Sequence, residues 1–209
     1  MARLLYLESS PRKQRSYSIK VADAFLRAYA TAHPADQIDR LDLWAEALPR
    51  FDGDLLNAKY ALMHGEQPSA AERAAWATVE QLFQRFNAAD KYLFSVPMWN
   101  FGLPYVLKHY IDVITQPGLA WSFDAATASY SGLVSGKVAV VYSSGGVYHD
   151  GSGAEAFDMQ KPALANWLAF IGLTDVTPIV VGGTLFGPEA AAQATTDAVA
   201  TAERVAATF

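Results

Sequence analysis

The feature that most constrains this chain is an alternation. Five short apolar runs are separated by longer stretches in which apolar residues recur at helical spacing. Arg3–Glu8 is the first run. Ile19, Ala22, Phe25, Leu26 and Tyr29 then share one helical face, and that pattern stops near His33-Pro34. Gln37–Leu43 alternates, with Ile38, Leu41 and Leu43 apolar, and predicts a second strand. Lys91–Val96 is the third, cut off by Pro97. Lys137–Ser143 is the fourth, and Val138–Tyr142 within it is apolar throughout. Val176–Val181 is the fifth. Ser69 with Glu72 three residues on has the form of a capping box, followed by Trp76, Val79, Leu82, Phe83 and Phe86 on one face. Pro104 suits a first helical turn ahead of Val106, Leu107, Tyr110, Ile111 and Ile114. Phe157–Leu173 contains a further helix, and Pro188–Thr208 is an alanine-rich closing one. Residues 44–70 read as irregular apart from a short helix over Leu55–Met63. Residues 117–136 read as a long aromatic loop containing Trp121, Phe123 and Tyr130.

Strands that are apolar on both faces need cover on both faces. Alternation with helices therefore predicts an α/β fold: a five-stranded parallel sheet, flavodoxin-like in its order 2-1-3-4-5, between two helical layers. No repeat, linker or low-complexity tract interrupts it, so residues 1–209 are expected to form one domain. With 52% hydrophobic and 18% charged residues, the chain has the apolar surface for such a core.

Composition also excludes chemistry. There is no cysteine, which removes disulfides, thiolate catalysis and Cys-ligated metals. His33, His64, His109 and His149 are scattered without metal-ligand spacing, so no metal is expected. A formal charge of -5 and no basic run beyond Arg12, Lys13 and Arg15 argue against nucleic acid. No stretch approaches the roughly 18 apolar residues of a membrane span. The apolar run at the amino terminus is only strand-length, so a cytoplasmic location is expected.

Ligands of open α/β sheets bind beyond the carboxyl ends of the strands. The loop after the first strand, Ser9–Ser18, offers the hydroxyls of Ser10, Ser16 and Ser18 at a helix start, where a phosphate is stabilised. Ser16 or Ser18 would equally serve as a helix cap. The loop after the third strand, Pro97–Pro104, sets Asn100 between Trp99 and Phe101, a combination suited to a planar ring with polar edges. After the fourth strand, Ser143-Ser144-Gly145-Gly146 lets backbone approach a ligand closely. Near-motifs fail on context. Gly132–Lys137 is one residue short of a P-loop, and Ser143–Gly146 lacks the leading glycine of a nucleophile elbow.

Together these loops resemble those of the FMN-dependent NADH-azoreductases, also NADH:quinone oxidoreductases, of flavodoxin-like fold. The resemblance spans essentially the whole chain. Its markers are Leu7–Ser10, Ser16-Tyr17-Ser18, Pro97–Phe101, Gly118–Phe123, Ser143–Gly146, Phe170–Leu173 and Gly187–Glu189. It implies that Ser10 and Ser16, Tyr17 and Ser18 hold the FMN phosphate. Pro97, Met98, Trp99, Asn100 and Phe101 would meet the ring and ribityl chain. Ser143, Ser144, Gly145, Gly146 and Tyr148 would meet the ring's polar edge. Trp121, Phe123 and Phe170 would line the acceptor site, formed between two subunits of a homodimer. The implied reaction is two-electron, ping-pong hydride transfer from NADH to quinones, azo compounds or nitroaromatics, with Tyr148 and His149 as candidate proton donors. A single-electron carrier of the flavodoxin type is the alternative. Ser144 stands where the family often has arginine and Tyr148 where it often has histidine. The loop from Val147 to Asp158 is also longer.

Overall fold

The computed structural model describes residues 1–209. The elements are β1 (Arg3–Glu8), α1 (Tyr17–Ala32), β2 (Gln37–Asp42), α2 (Gly53–Met63), α3 (Ala70–Asn87), β3 (Lys91–Pro97), α4 (Tyr105–Ile114), β4 (Trp121–Asp124), β5 (Ser129–Gly132), β6 (Lys137–Ser143), α5 (Gln160–Ile171), β7 (Asp175–Val181) and α6 (Pro188–Thr208). Short 3-10 turns at Lys13–Arg15 and Glu155–Phe157 lead into α1 and α5. One parallel sheet runs β2-β1-β3-β6-β7. This is the five-strand order expected, with β6 and β7 as the fourth and fifth strands.

The sheet's period of two assigns its side chains to two cores. Leu5 and Leu7 of β1, Tyr92, Phe94 and Val96 of β3, and Val138, Val140 and Tyr142 of β6 pack toward α3, α4 and α5. Leu4 and Tyr6, Leu93, and Ala139 and Val141 pack the other way, onto α1 and α6. Each fully buried leucine or phenylalanine contributes about 1.5–3 kcal/mol against exposure. Turning the register by one residue would exchange the two sets, so it is strongly specified. The buried hydroxyl of Ser95, on the α1 side of β3, is satisfied by the Tyr6 phenol at 3.0 Å. The Ser69–Glu72 capping box forms as read, with both reciprocal hydrogen bonds present.

The stretch 117–136 departs from expectation. It is not a loop throughout but holds an antiparallel hairpin, β4–β5, with Trp121 opposite Gly132 and Phe123 opposite Tyr130. Strands of four residues are too short to show a periodic signal, and the turn between them has no glycine or asparagine. The hairpin is docked on the end of α5. The Val134 N–H donates to the Ile171 carbonyl at 2.9 Å. A Cβ on Gly132 would lie 2.2 Å from backbone atoms of Ile171 and Gly172, so only glycine permits this approach.

Candidate active site

The carboxyl ends of β1, β3 and β6 converge on a cleft lined by Ser10, Arg12, Ser16, Tyr17, Pro97, Met98, Trp99, Ser143, Ser144, Gly145 and Thr184. Most of the residues expected there from sequence are among them. Its volume is about 120 Å³, well below the ~300–1,000 Å³ of an enclosed small-molecule pocket. Such a cleft takes the end of a ligand, and the rest must lie along its open rim.

The phosphate-loop expectation turns on what the hydroxyls do. Ser16 is the residue preceding α1, but its side chain makes no capping hydrogen bond. Its Oγ meets the Ser18 Oγ at 3.1 Å instead. The first-turn amides of Tyr17, Ser18 and Ile19 have no backbone partner. Ser10, Ser16 and Ser18 are buried nonetheless. Buried hydroxyls and free amides at a positive helix end form a receptor for an anion. Of the three nearby cations, Arg12 lines the cleft. Lys13 is turned to the carboxylates of Glu8 and Asp42, each at 2.6 Å. Arg15 is exposed.

The loop after β3 is a tight turn. Trp99 and Gly102 exchange backbone hydrogen bonds at 3.0 and 2.9 Å. Asn100 and Phe101 between them have φ of 48° and 69°, the paired left-handed residues of a type I′ turn. Asparagine tolerates that backbone, but phenylalanine does not, at a cost of about 1–3 kcal/mol. Neighbouring contacts hold the turn in place. The Met159 N–H donates to the Phe101 carbonyl at 3.0 Å. The Phe101 ring lies 5.6 Å from Phe157 and meets Tyr148 edge-on at 6.5 Å. Asn100 and Phe101 stand on the rim beside the cleft rather than in its lining, with their own N–H groups free of intrachain partners.

The glycine loop after β6 is laced down rather than slack. The Ser144 carbonyl accepts from the Thr184 N–H at 3.2 Å and from its hydroxyl at 3.0 Å. The Gly183 and Leu185 amides donate to the Gly146 and Gly145 carbonyls at 2.8 and 3.1 Å. The Ser144 hydroxyl donates to the Gly146 carbonyl at 2.9 Å. Met98 N–H donates to Ser143 O at 2.7 Å, joining this loop to the one after β3. Tyr148 folds over Gly146, its hydroxyl 3.0 Å from where a Cβ would stand. His149 is exposed and its Nδ1 contacts the Asp150 carbonyl at 2.9 Å, away from the cleft lining. Burial pushes the Tyr6 and Tyr142 phenols up, so neither is an acid near neutrality.

The three expected acceptor-site aromatics do come together, but elsewhere. Trp121 lies 5.6 Å from Phe170 and 5.5 Å from Tyr130, whose ring is tilted 44° against Phe123 at 4.8 Å. Trp121 and Phe123 line a groove of about 670 Å³ with Trp76, Lys59, Leu62 and Met63. It shares no lining residue with the cleft.

Two lining residues, Arg12 and Thr184, and one bracing residue, Trp44, have no counterpart in the sequence reading. Trp44 donates its indole N–H to the Ser9 carbonyl at 3.0 Å and packs 5.9 Å from Trp99. Only the glycine pair Gly182-Gly183 hinted at the Thr184 loop, and nothing in the irregular stretch after β2 marked Trp44.

Comparison with known proteins bears directly on this site. The family model for the flavodoxin-like fold matches residues 2–206. An FMN-dependent NADH:quinone oxidoreductase of Nitratidesulfovibrio vulgaris is 44% identical, with all of both chains covered. An FMN-dependent NADH:quinone oxidoreductase 9 of Burkholderia lata is 46% identical over 90% of each chain. The chain belongs to the family of FMN-dependent NADH:quinone oxidoreductases. A solved azoreductase from Bacillus anthracis superposes with a TM-score of 0.91 at 31% identity, over the full length of both. The cleft fits the family's cofactor. Uncapped amides with buried hydroxyls suit its phosphate, and the open rim beyond Met98 and Trp99 suits a flat ring.

Proposed function

We propose that this protein is an FMN-dependent oxidoreductase that uses NADH to reduce quinones and azo compounds by two-electron, ping-pong hydride transfer. One observation carries the reading: the uncapped, buried serine cluster at the start of α1 opens onto a rim too shallow to enclose a whole flavin. When bound, FMN supplies the two-electron redox chemistry. The chain's residues bind and orient it. Ser10, Ser16 and Ser18, with the amides of Tyr17 and Ser18, take the phosphate. Pro97, Met98 and Trp99, with the free amides of Asn100 and Phe101, hold the ring and ribityl chain. Ser143–Gly146 meets the ring's polar edge. The strained turn at Asn100–Phe101 is set before the cofactor arrives, which limits the ordering lost on binding.

A flat ring held along the open rim by Pro97–Phe101 would be reached by donor and acceptor in turn, which favours a ping-pong order. Tyr148 is better placed than His149 to hold or pass a proton, because it covers Gly146 and faces Phe101. Trp121, Phe123 and Phe170 form an aromatic slot for flat acceptors. That slot shares no residue with the cleft of its own chain, which supports a homodimer in which one subunit's hairpin covers the other's rim. No helix of the structure is long and apolar enough to cross a membrane. A cytoplasmic site is part of the same proposal.

The test is a spectrum of the purified protein supplied with FMN. Flavin absorbance should bleach on anaerobic NADH and return on adding a quinone. A protein that binds no flavin, or oxidises NADH no faster with a quinone than without, overturns the reading.

A further inference from the structure

Lys13 does not line the cleft, yet its position is unusual. Its backbone has φ 48°, left-handed for a residue with a side chain. Its ammonium is shared between Glu8 at the end of β1 and Asp42 at the end of β2, each at 2.6 Å. Those two residues face one another in the parallel register, so the ammonium bridges adjacent strand ends. Its own carbonyl accepts the Ser16 N–H at 2.8 Å, fixing the residue that precedes α1. Asp42 also receives the Trp44 N–H at 3.1 Å, and Trp44 in turn holds the Ser9 carbonyl and packs on Trp99. The clamp therefore reaches the phosphate loop from both sides, through the Lys13 carbonyl and through Trp44. Desolvation opposes the Lys13 charge, but hydrogen bonds to Asp42 and Glu8 outweigh it and raise its pKa above the ordinary lysine value.

We propose that Lys13 is a positioning residue for the cofactor phosphate, holding the loop Ser9–Ser16 in its receiving form by clamping Glu8 to Asp42. The inference rests on the FMN reading above. Lys13 acts through geometry, not by touching the phosphate, since both carboxylates already engage its ammonium. Two partly exposed ion pairs are each worth little alone, yet together they offset a backbone conformation that would otherwise relax.

The experiment measures dissociation constants for FMN and for riboflavin, which lacks the phosphate, by flavin fluorescence on the apoprotein. Lys13→Met should weaken FMN about tenfold, the scale of two such pairs lost together, and leave riboflavin unchanged. The triple variant Lys13→Met, Glu8→Gln, Asp42→Asn removes the carboxylates that Lys13→Met leaves near the phosphate. It should remain weak if geometry is at issue. Restored affinity in the triple variant would make the role one of charge balance and overturn the proposal. So would unchanged FMN affinity in Lys13→Met, or an equal loss for riboflavin. Should Lys13→Met not fold, Glu8→Gln keeps one pair and should show a smaller loss for FMN only. Wild-type protein that binds neither flavin overturns the FMN reading itself, whereas tight wild-type binding with an indifferent Lys13 overturns only this inference.

Discussion

The cleft and the aromatic hairpin are built on opposite principles. At the cleft, polar groups are buried: Ser9, Ser10 and Ser143 at the ends of apolar strands, and Ser16 and Ser18 at the start of α1. At the hairpin, apolar groups are exposed: Phe123 is 49% accessible, Tyr130 60% and Phe170 37%. Each is the costly arrangement for its residue type. Buried hydroxyls that leave helix amides uncapped are complete only with an anion. Exposed aromatics packed on one another are complete only under a flat ligand or a second surface. The two regions differ in kind, and substitutions should separate them.

The largest effect is expected at Ser16. Aspartate is as good a helix cap as serine, so Ser16→Asp should leave the apoprotein folded with an equal or higher Tm. Its carboxylate would set a like charge against the phosphate, and Arg12, the one cation lining the cleft, cannot neutralise both. FMN affinity should fall about a thousandfold, or about 4 kcal/mol, the scale of a buried charge left without a partner. Retained affinity, measured by fluorescence titration, would remove this serine from the phosphate site. The hairpin offers the converse. Gly132→Ala forces a Cβ onto the Ile171–Gly172 backbone and should cost about 2–3 kcal/mol of stability, read by denaturant unfolding. FMN affinity should hold within a factor of about two, because within one chain the hairpin shares no residue with the phosphate end of the cleft, which anchors the cofactor. Equal losses in both would show that the two regions are one unit.

How legible each region was in the sequence follows from the same contrast. The sheet was readable because β1, β3 and β6 are apolar on both faces, and only a doubly covered parallel sheet uses such runs. The hydroxyls of the first loop were readable as a pattern, but not their state. Whether Ser16 caps α1 depends on a rotamer, which no spacing reveals. The hairpin was hidden. Trp121–Asp124 and Ser129–Gly132 are short, and Ser129-Tyr130-Ser131-Gly132 is too small and polar to look like a strand. Its place is set by tertiary contact with Ile171 and Gly172. Trp44 and Thr184 were missed for a related reason. Both come from loops after the outer strands β2 and β7, Thr184 lining the cleft and Trp44 bracing it, and their roles exist only through neighbours such as Ser9 and Ser144.

A milder substitution tests the hairpin's function apart from its fold. Phe170→Ala removes one wall of the aromatic cluster, where it meets Trp121 and Tyr130. Aromatic pairs contribute about 0.5–1.5 kcal/mol each beyond area burial. The quinone KM should therefore rise roughly tenfold, with FMN affinity unchanged. An unchanged KM, measured in steady-state turnover, would take the cluster out of acceptor binding.

The smallest effect belongs to the tip of the hairpin and to pH. Asp124 accepts hydrogen bonds from the Ala126 N–H and the Thr127 hydroxyl, both at 2.9 Å. The Ala126 bond, then the Thr127 bond, hold its carboxyl below the ordinary 3.8 of aspartate. A lowered carboxylate pKa stabilises the folded turn above the unfolded value, and that contribution is lost as pH falls through the folded one. The turn should therefore be indifferent to pH from neutrality down to about 5 and loosen only in acid below 3.8. The check is the Ala126 amide resonance followed by NMR, whose titration midpoint should lie below 3.8 and vanish in Asp124→Asn. A midpoint at or above that value would mean the carboxylate does not hold the turn. Because Asp124 is fully exposed, salt should weaken the effect further.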